Sequence, residues 1–287
     1  MKSLCLASAV LAMGSLSFAG TLHATPVNTQ KEADAAVAQN NAAQSVPRSP
    51  FSTSTCSFNF AAGSANNFVR YCVTANGNIT QFETPAGQEH IAVGSFGEGY
   101  GICDFTTATT VAYDDYADFG DTGNWNPAKV VSASATTVKI ARTTSDGIWT
   151  LTQTIAQNAP NGSVKVTMSL KNNTAVERSA QLLRYADIDA DGFLFNTFDA
   201  TADSAMGYNS LLGSNTPFGV ILQDISTLSF AHNGLAQSVP FGPDPCNAFS
   251  NVIFGPQVGV DGSIVMLYAF NVPAKSSETV SVSYKGM

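Results

Sequence analysis

The chain reads as an all-β protein, a large antiparallel β-sandwich closed by two disulfides. Three observations predict that class. From Phe51 onward, short apolar and Val/Thr/Ser-rich runs alternate with Gly, Asn, Asp and Pro, and no apolar stripe of helical spacing continues beyond a few turns. Several of these runs have a period of two. Four cysteines remain after a segment that has the form of an export signal.

Residues 1–24 carry a single charge, Lys2, and an apolar run from Leu4 to Phe18 that is too short to span a bilayer and ends in small residues. That is the form of a secretory signal peptide, with cleavage expected after Ala24 and Ala19 as the alternative. No later run reaches the roughly 18 to 20 apolar residues that a spanning helix needs. Residues 25–50 are rich in Ala, Gln, Asn, Ser and Pro and predict a disordered linker or pro-segment. Residues 51–287 are then expected to form one sandwich domain, with no second linker and no repeat of fixed period.

Within that domain, Ser163 to Lys171 sets Val164, Val166, Met168 and Leu170 on one face and Lys165, Thr167, Ser169 and Lys171 on the other. Thr279 to Lys285 does the same with Val280, Val282 and Tyr284, and Trp149, Leu151 and Ile155 do so in a third run. Asn76-Gly77, Asp146-Gly147 and Asn161-Gly162 mark the turns between such runs.

Loss of the signal removes Lys2 and Cys5. Of 13 bases, 12 remain against 21 acids, a net charge of −9, which makes nucleic acid and anionic membrane poor partners. Cys56, Cys72, Cys103 and Cys246 are left for an oxidising compartment, either periplasmic or extracellular. A hairpin centred on Ser64 places Cys56 opposite Cys72, and Cys103 with Cys246 follows by elimination.

The most specific local motif is Asp187-Ile188-Asp189-Ala190-Asp191-Gly192, placed directly after a strand. Alternate aspartates on a tight turn aim oxygens at one hard cation, and the glycine allows the reversal; calcium is the expected occupant. The twelfth position of an EF-hand loop would be Phe198, so Asp199 is taken as the fourth ligand instead. Residues 185–274 hold eight aspartates and no Glu, Lys or Arg, so no cation within that stretch neutralises the loop.

A second acidic region runs from Asp114 to Trp125. There Asp115 and Asp118 beside Tyr113, Tyr116 and Trp125 offer hydroxyl acceptors and flat rings, the components of a glycan site. The alternative is an exposed acidic loop whose aromatics turn into the core. Glu89 or Glu98 with Asp115 or Asp118 could instead hydrolyse a glycosidic bond at a suitable separation. The sequence contains no GxSxG, HExxH or P-loop, and His90 and His232 are isolated.

The order of features from Asn76 to Tyr185 resembles the galactose mutarotase-like supersandwich group of carbohydrate-active domains. The resemblance rests on Asn76-Gly77-Asn78-Ile79 opening a hairpin, on Trp149 to Ile155 leading into Ser163 to Leu170, and on Leu170-Lys171-Asn172-Asn173-Thr174. Val272-Pro273-Ala274-Lys275-Ser276 with Glu278 to Tyr284 is similar in style. The resemblance implies a fold that binds, isomerises or cleaves sugars. The paired histidines of its epimerase members have no counterpart here, so no catalytic residue is carried over. The expectation is a non-catalytic exported module that binds a glycan or another cell-surface component and is stiffened by calcium. The alternatives are an extracellular carbohydrate-active enzyme and a structural or adhesive surface protein.

Overall fold

In the computed structural model, residues 56–91, 97–117, 120–121, 124–209, 218–238 and 242–287 are described. The expected signal peptide and linker lie outside them. The chain forms β1 (Phe58–Ala62), β2 (Val69–Val73), β3 (Ile79–Glu83), β4 (Glu98–Asp104), β5 (Val111–Tyr116), β6 (Gly120–Asp121), β7 (Lys129–Ala133), β8 (Thr137–Thr143) and β9 (Trp149–Asn158). It continues through β10 (Ser163–Asn172), β11 (Arg178–Asp187), β12 (Asn196–Thr201), β13 (Ser204–Asn209), β14 (Phe218–Asp224), β15 (Ala231–Gln237), β16 (Gln257–Val260), β17 (Ser263–Val272) and β18 (Ser277–Gly286).

These strands make three antiparallel sheets. Nine strands run in the order β16-β12-β13-β14-β18-β10-β9-β8-β7, six in the order β15-β17-β11-β4-β5-β6, and β1-β2-β3 form a small third sheet. One apolar core draws on all three, with Tyr71 and Phe82 from the small sheet, Val166, Leu170 and Val282 from the large one, and Ile102, Leu182 and Met266 from the six-stranded one. Burying each such side chain contributes about 1.5–3 kcal/mol, so the core carries most of the stabilisation.

The period-two runs lie where the pattern places them. Val164, Val166, Met168 and Leu170 on β10 are fully buried, as are Val282 and Tyr284 on β18. On β9, Trp149, Leu151 and Ile155 face in, but so does Gln153. That polar residue on a core face is explained by β11, whose core-facing series Ala180, Leu182, Arg184, Ala186 contains a fully buried arginine bonded to Gln153.

Both disulfides are present, Cys56–Cys72 with Cα atoms 5.4 Å apart and Cys103–Cys246 at 4.9 Å. The first forms by a different register from the one expected. In the ladder Phe60 faces Tyr71, so Asn59 rather than Cys56 stands opposite Cys72, and the bridge closes from the chain just before β1. A short 3-10 turn at Ala65–Asn67 shifts the hairpin centre, entered through Gly63 at φ 77°, where a Cβ would lie 2.1 Å from the Asn67 carbonyl.

The second disulfide belongs to the outer face of the six-stranded sheet. There Tyr116, Leu183, Tyr185, Leu235, Val265 and Leu267 form a smaller apolar cluster capped by Ala248. Gly101 lets the covering segment lie flat, since a Cβ would stand 2.5 Å from Pro245 Cγ. Cys103, two residues on and on the same face, then meets Cys246.

Candidate metal centre

Of the residues expected to form a glycan site, the four that are described, Tyr113, Asp115, Tyr116 and Trp125, are buried. Tyr113 donates its hydroxyl to Asp146 at 2.6 Å, Tyr116 to the Pro243 carbonyl at 2.6 Å, and the Trp125 indole N–H to the Asp114 carbonyl at 3.0 Å. Asp115 is fully buried and ion-paired with Arg142, whose guanidinium lies 5.3 Å from the Trp125 ring centroid. Asp118 lies outside the described residues. Tyr113 and Asp115, two residues apart on β5, share its inward face, so the carboxylate is buried together with its own cation.

The remaining carboxylates expected to be available for catalysis are similarly engaged. Glu98 is fully buried, paired with Arg184, and accepts from the Tyr284 hydroxyl and the Ile79 N–H, both at 2.6 Å. Burial pushes its carboxyl up to about 7 against the pull of Arg184. Glu89 accepts the Phe82 N–H at 2.6 Å, and burial raises it as well.

The Asp187 loop is different. Asp187 ends β11, and its N–H donates to the Gly97 carbonyl at 2.9 Å. Ile188 donates to the Gly262 carbonyl at 3.2 Å, which holds the β16–β17 turn against the loop. Gly192, at φ 76°, reverses the chain through the short turn Ala190–Gly192, and Asn196 Nδ2 closes the loop onto the Ile188 carbonyl at 3.0 Å.

The product of that arrangement is a trio of carboxylates. One oxygen each from Asp187, Asp189 and Asp261 lies within 4.8 Å of the others. Two oxygens about 2.4 Å from a shared calcium can be at most about 4.8 Å apart, so the spacing fits one ion. Asp187 is 3% exposed and Asp189 8%, and Oδ1 of each, like that of Asp261, is buried without a hydrogen-bond partner. Buried polar atoms are normally paired, so these oxygens lack their complement.

Their titration follows from the same fact. Burial raises Asp187 well above the usual carboxylate range, helped by Asp189 and Asp261. Burial also pushes Asp189 up to about 7, with Asp261 adding to it, and Asp261 up to about 7.

Of the four aspartates the sequence singled out for a cation, the structure brings Asp187 and Asp189 together. Asp199 stands on β12 and accepts from the Ala200 N–H at 2.8 Å, apart from the trio, and the Asp191 side chain is outside the described set. Asp261 was missed. It precedes Gly262 and a long apolar strand, a turn signal with no calcium motif around it.

No protein-family model and no curated protein matches the sequence. Among solved structures, the chain is similar to a bacterial glucoamylase complexed with acarbose, at 11% identity and TM-score 0.51 over 84% of this chain and 34% of that one. It is also similar to a galactose mutarotase-like protein from Lactobacillus casei, at 10% identity and TM-score 0.45 over 80% of this chain and 100% of that one. A polysaccharide lyase gives 12% identity and TM-score 0.46 over 81% and 33%. The chain spans about a third of the glucoamylase's length. At these identities the likeness is one of fold alone, a β-sandwich.

Proposed function

We propose that this chain is a non-catalytic exported β-sandwich module, stabilised by one calcium ion held between Asp187, Asp189 and Asp261, with glycan as its ligand class. The observation that carries the cation is the convergence of three carboxylates, each of which holds one buried oxygen without a hydrogen-bond partner. Each would cost free energy as an unpaired anion, and a hard divalent ion with oxygen ligands removes that cost. The non-catalytic reading is supported by Glu98 and Asp115, which are committed to Arg184 and Arg142. Glycan as a ligand rests on fold alone, through the glucoamylase whose structure holds acarbose. Two disulfides fit residence in an oxidising compartment.

Thermal unfolding tests the cation. At about a hundred times Kd, calcium adds about 2.7 kcal/mol, which for a domain of this size raises Tm by about 5–10 °C over the protein in chelator. Equal Tm values in calcium and in chelator would overturn the cation reading. Glycan-array binding tests the ligand class separately, and an array without a positive would remove glycan while leaving the cation standing.

A further inference from the structure

His232 stands on β15, the edge strand of the six-stranded sheet, and its ring reaches the β12–β13 turn of the nine-stranded sheet, to which Gly234 on the same strand also bonds through its N–H to the Ala202 carbonyl at 2.9 Å. Nε2 lies 2.9 Å from Asp203 Oδ1, in the β12–β13 turn, and 3.7 Å from Asp224 Oδ2, at the end of β14. Nδ1 lies 2.8 Å from the Phe230 carbonyl oxygen. Both ring nitrogens therefore face acceptors. A neutral imidazole has one N–H, so either tautomer would turn a lone pair onto an oxygen lone pair, whereas the imidazolium donates at both positions.

The aspartates come from the opposite sheet. Asp224 is fixed by its other oxygen, Oδ1, which accepts the Tyr268 hydroxyl at 2.7 Å and the Ser226 N–H at 3.1 Å, leaving Oδ2 toward the ring. Tyr268 is the ladder partner of His232 on β17, with ring centroids 6.0 Å apart. The titratable groups facing the imidazole are thus Asp203, Asp224 and Tyr268. Asp199 on β12 turns its carboxylate to its own following amide, and β13 carries no charged residue. Residues 185–274 contain no Lys or Arg to compete for the two aspartates locally.

We propose that protonated His232 is an ionic staple between the sheets, tying edge strand β15 to the β12–β13 turn and the end of β14, and that it releases when the ring loses its proton. The inference is independent of the cation centre, with which it shares no residue. The hydrogen bond to Asp203, then that to the Phe230 carbonyl, raises the ring above its ordinary 6.5 against a smaller opposing effect of burial. For a group raised on folding, the added stability is fully present below the unfolded value and is lost as pH climbs through the folded one. This edge of the sandwich is therefore held in mild acid and loosened in base.

The test is an NMR titration of the full chain, with the His232 ring signal assigned by its loss in His232→Gln. His232 is expected to titrate above 6.5, and Asp203→Asn and Asp224→Asn are each expected to lower that value. A thermal scan gives a second reading: the Tm gained between about pH 8.5 and about pH 6 should be larger in the wild type than in His232→Gln by about 1–3 °C. Titration at or below 6.5, or a value moved by neither asparagine variant, overturns the staple, as does an equal Tm gain in the two proteins.

Discussion

Glu98 and Arg184 form an ion pair whose two side chains have no solvent exposure at all. It lies between the sheets, where Arg184 also donates to Gln153 and to the Gly77 carbonyl, and beside it Arg142 pairs with Asp115. Taking two ions out of water costs several kcal/mol per ion, which their attraction offsets only when both are present. Glu98→Leu and Arg184→Leu should each destabilise by about 3–5 kcal/mol in chemical denaturation, with the double variant costing well under the sum. Additive losses would mean that the two residues act separately.

Asp261 supplies the sharper test of the carboxylate trio, because one substitution has opposite effects in two conditions. Without metal, Asp261→Asn removes a buried carboxyl next to Asp187 and Asp189 and should raise Tm. With calcium the same substitution removes a ligand and should abolish the calcium-induced rise. A variant that still gains Tm from calcium would exclude Asp261 as a ligand.

The pH dependence of the calcium effect has a defined sign. Asp189 and Asp261 sit near 7 in the folded protein against an ordinary 3.8, so between those values the folded state binds more protons than the unfolded chain. Metal-free stability from these groups is therefore full below about pH 4 and is lost as pH rises through about 7. Calcium needs the ionised carboxylates, so the Tm difference between calcium and chelator should widen across that window. Scans at several pH values check it, and a difference that narrows with rising pH would contradict the assignment.

The outer face of the six-stranded sheet gives a third kind of prediction. Gly101→Val should destabilise by at least about 1–3 kcal/mol, because its side chain meets Pro245 in the segment that Cys246 anchors. Non-reducing peptide mapping should recover Cys56 with Cys72 and Cys103 with Cys246. Recovery of Cys56 with Cys103 would disprove both.

Much of the architecture was legible because side-chain alternation is local. Val164 to Leu170, Val280 to Tyr284 and Trp149 to Ile155 declare their buried faces in a few residues each. The same alternation could not tell that Asp115, on the inward face of β5, would meet Arg142 from β8, so its carboxylate was expected at a glycan or catalytic site or on an exposed loop. Two of the three carboxylates were visible because Asp187 and Asp189 share one loop. The third was not, because Asp261 arrives through the pairing of β11 with β17, in which Asp187 faces Ser263. Register between strands far apart in the chain is set by packing, and no local pattern reports it.

Binding of one divalent cation by the trio is tested most directly by titration calorimetry with calcium on the full chain. The wild type should show a single saturable site per chain that releases protons near neutral pH, while Asp187→Asn gives no more than dilution heat. Identical isotherms for the two proteins, or no binding heat in the wild type together with an unchanged Tm, would contradict it.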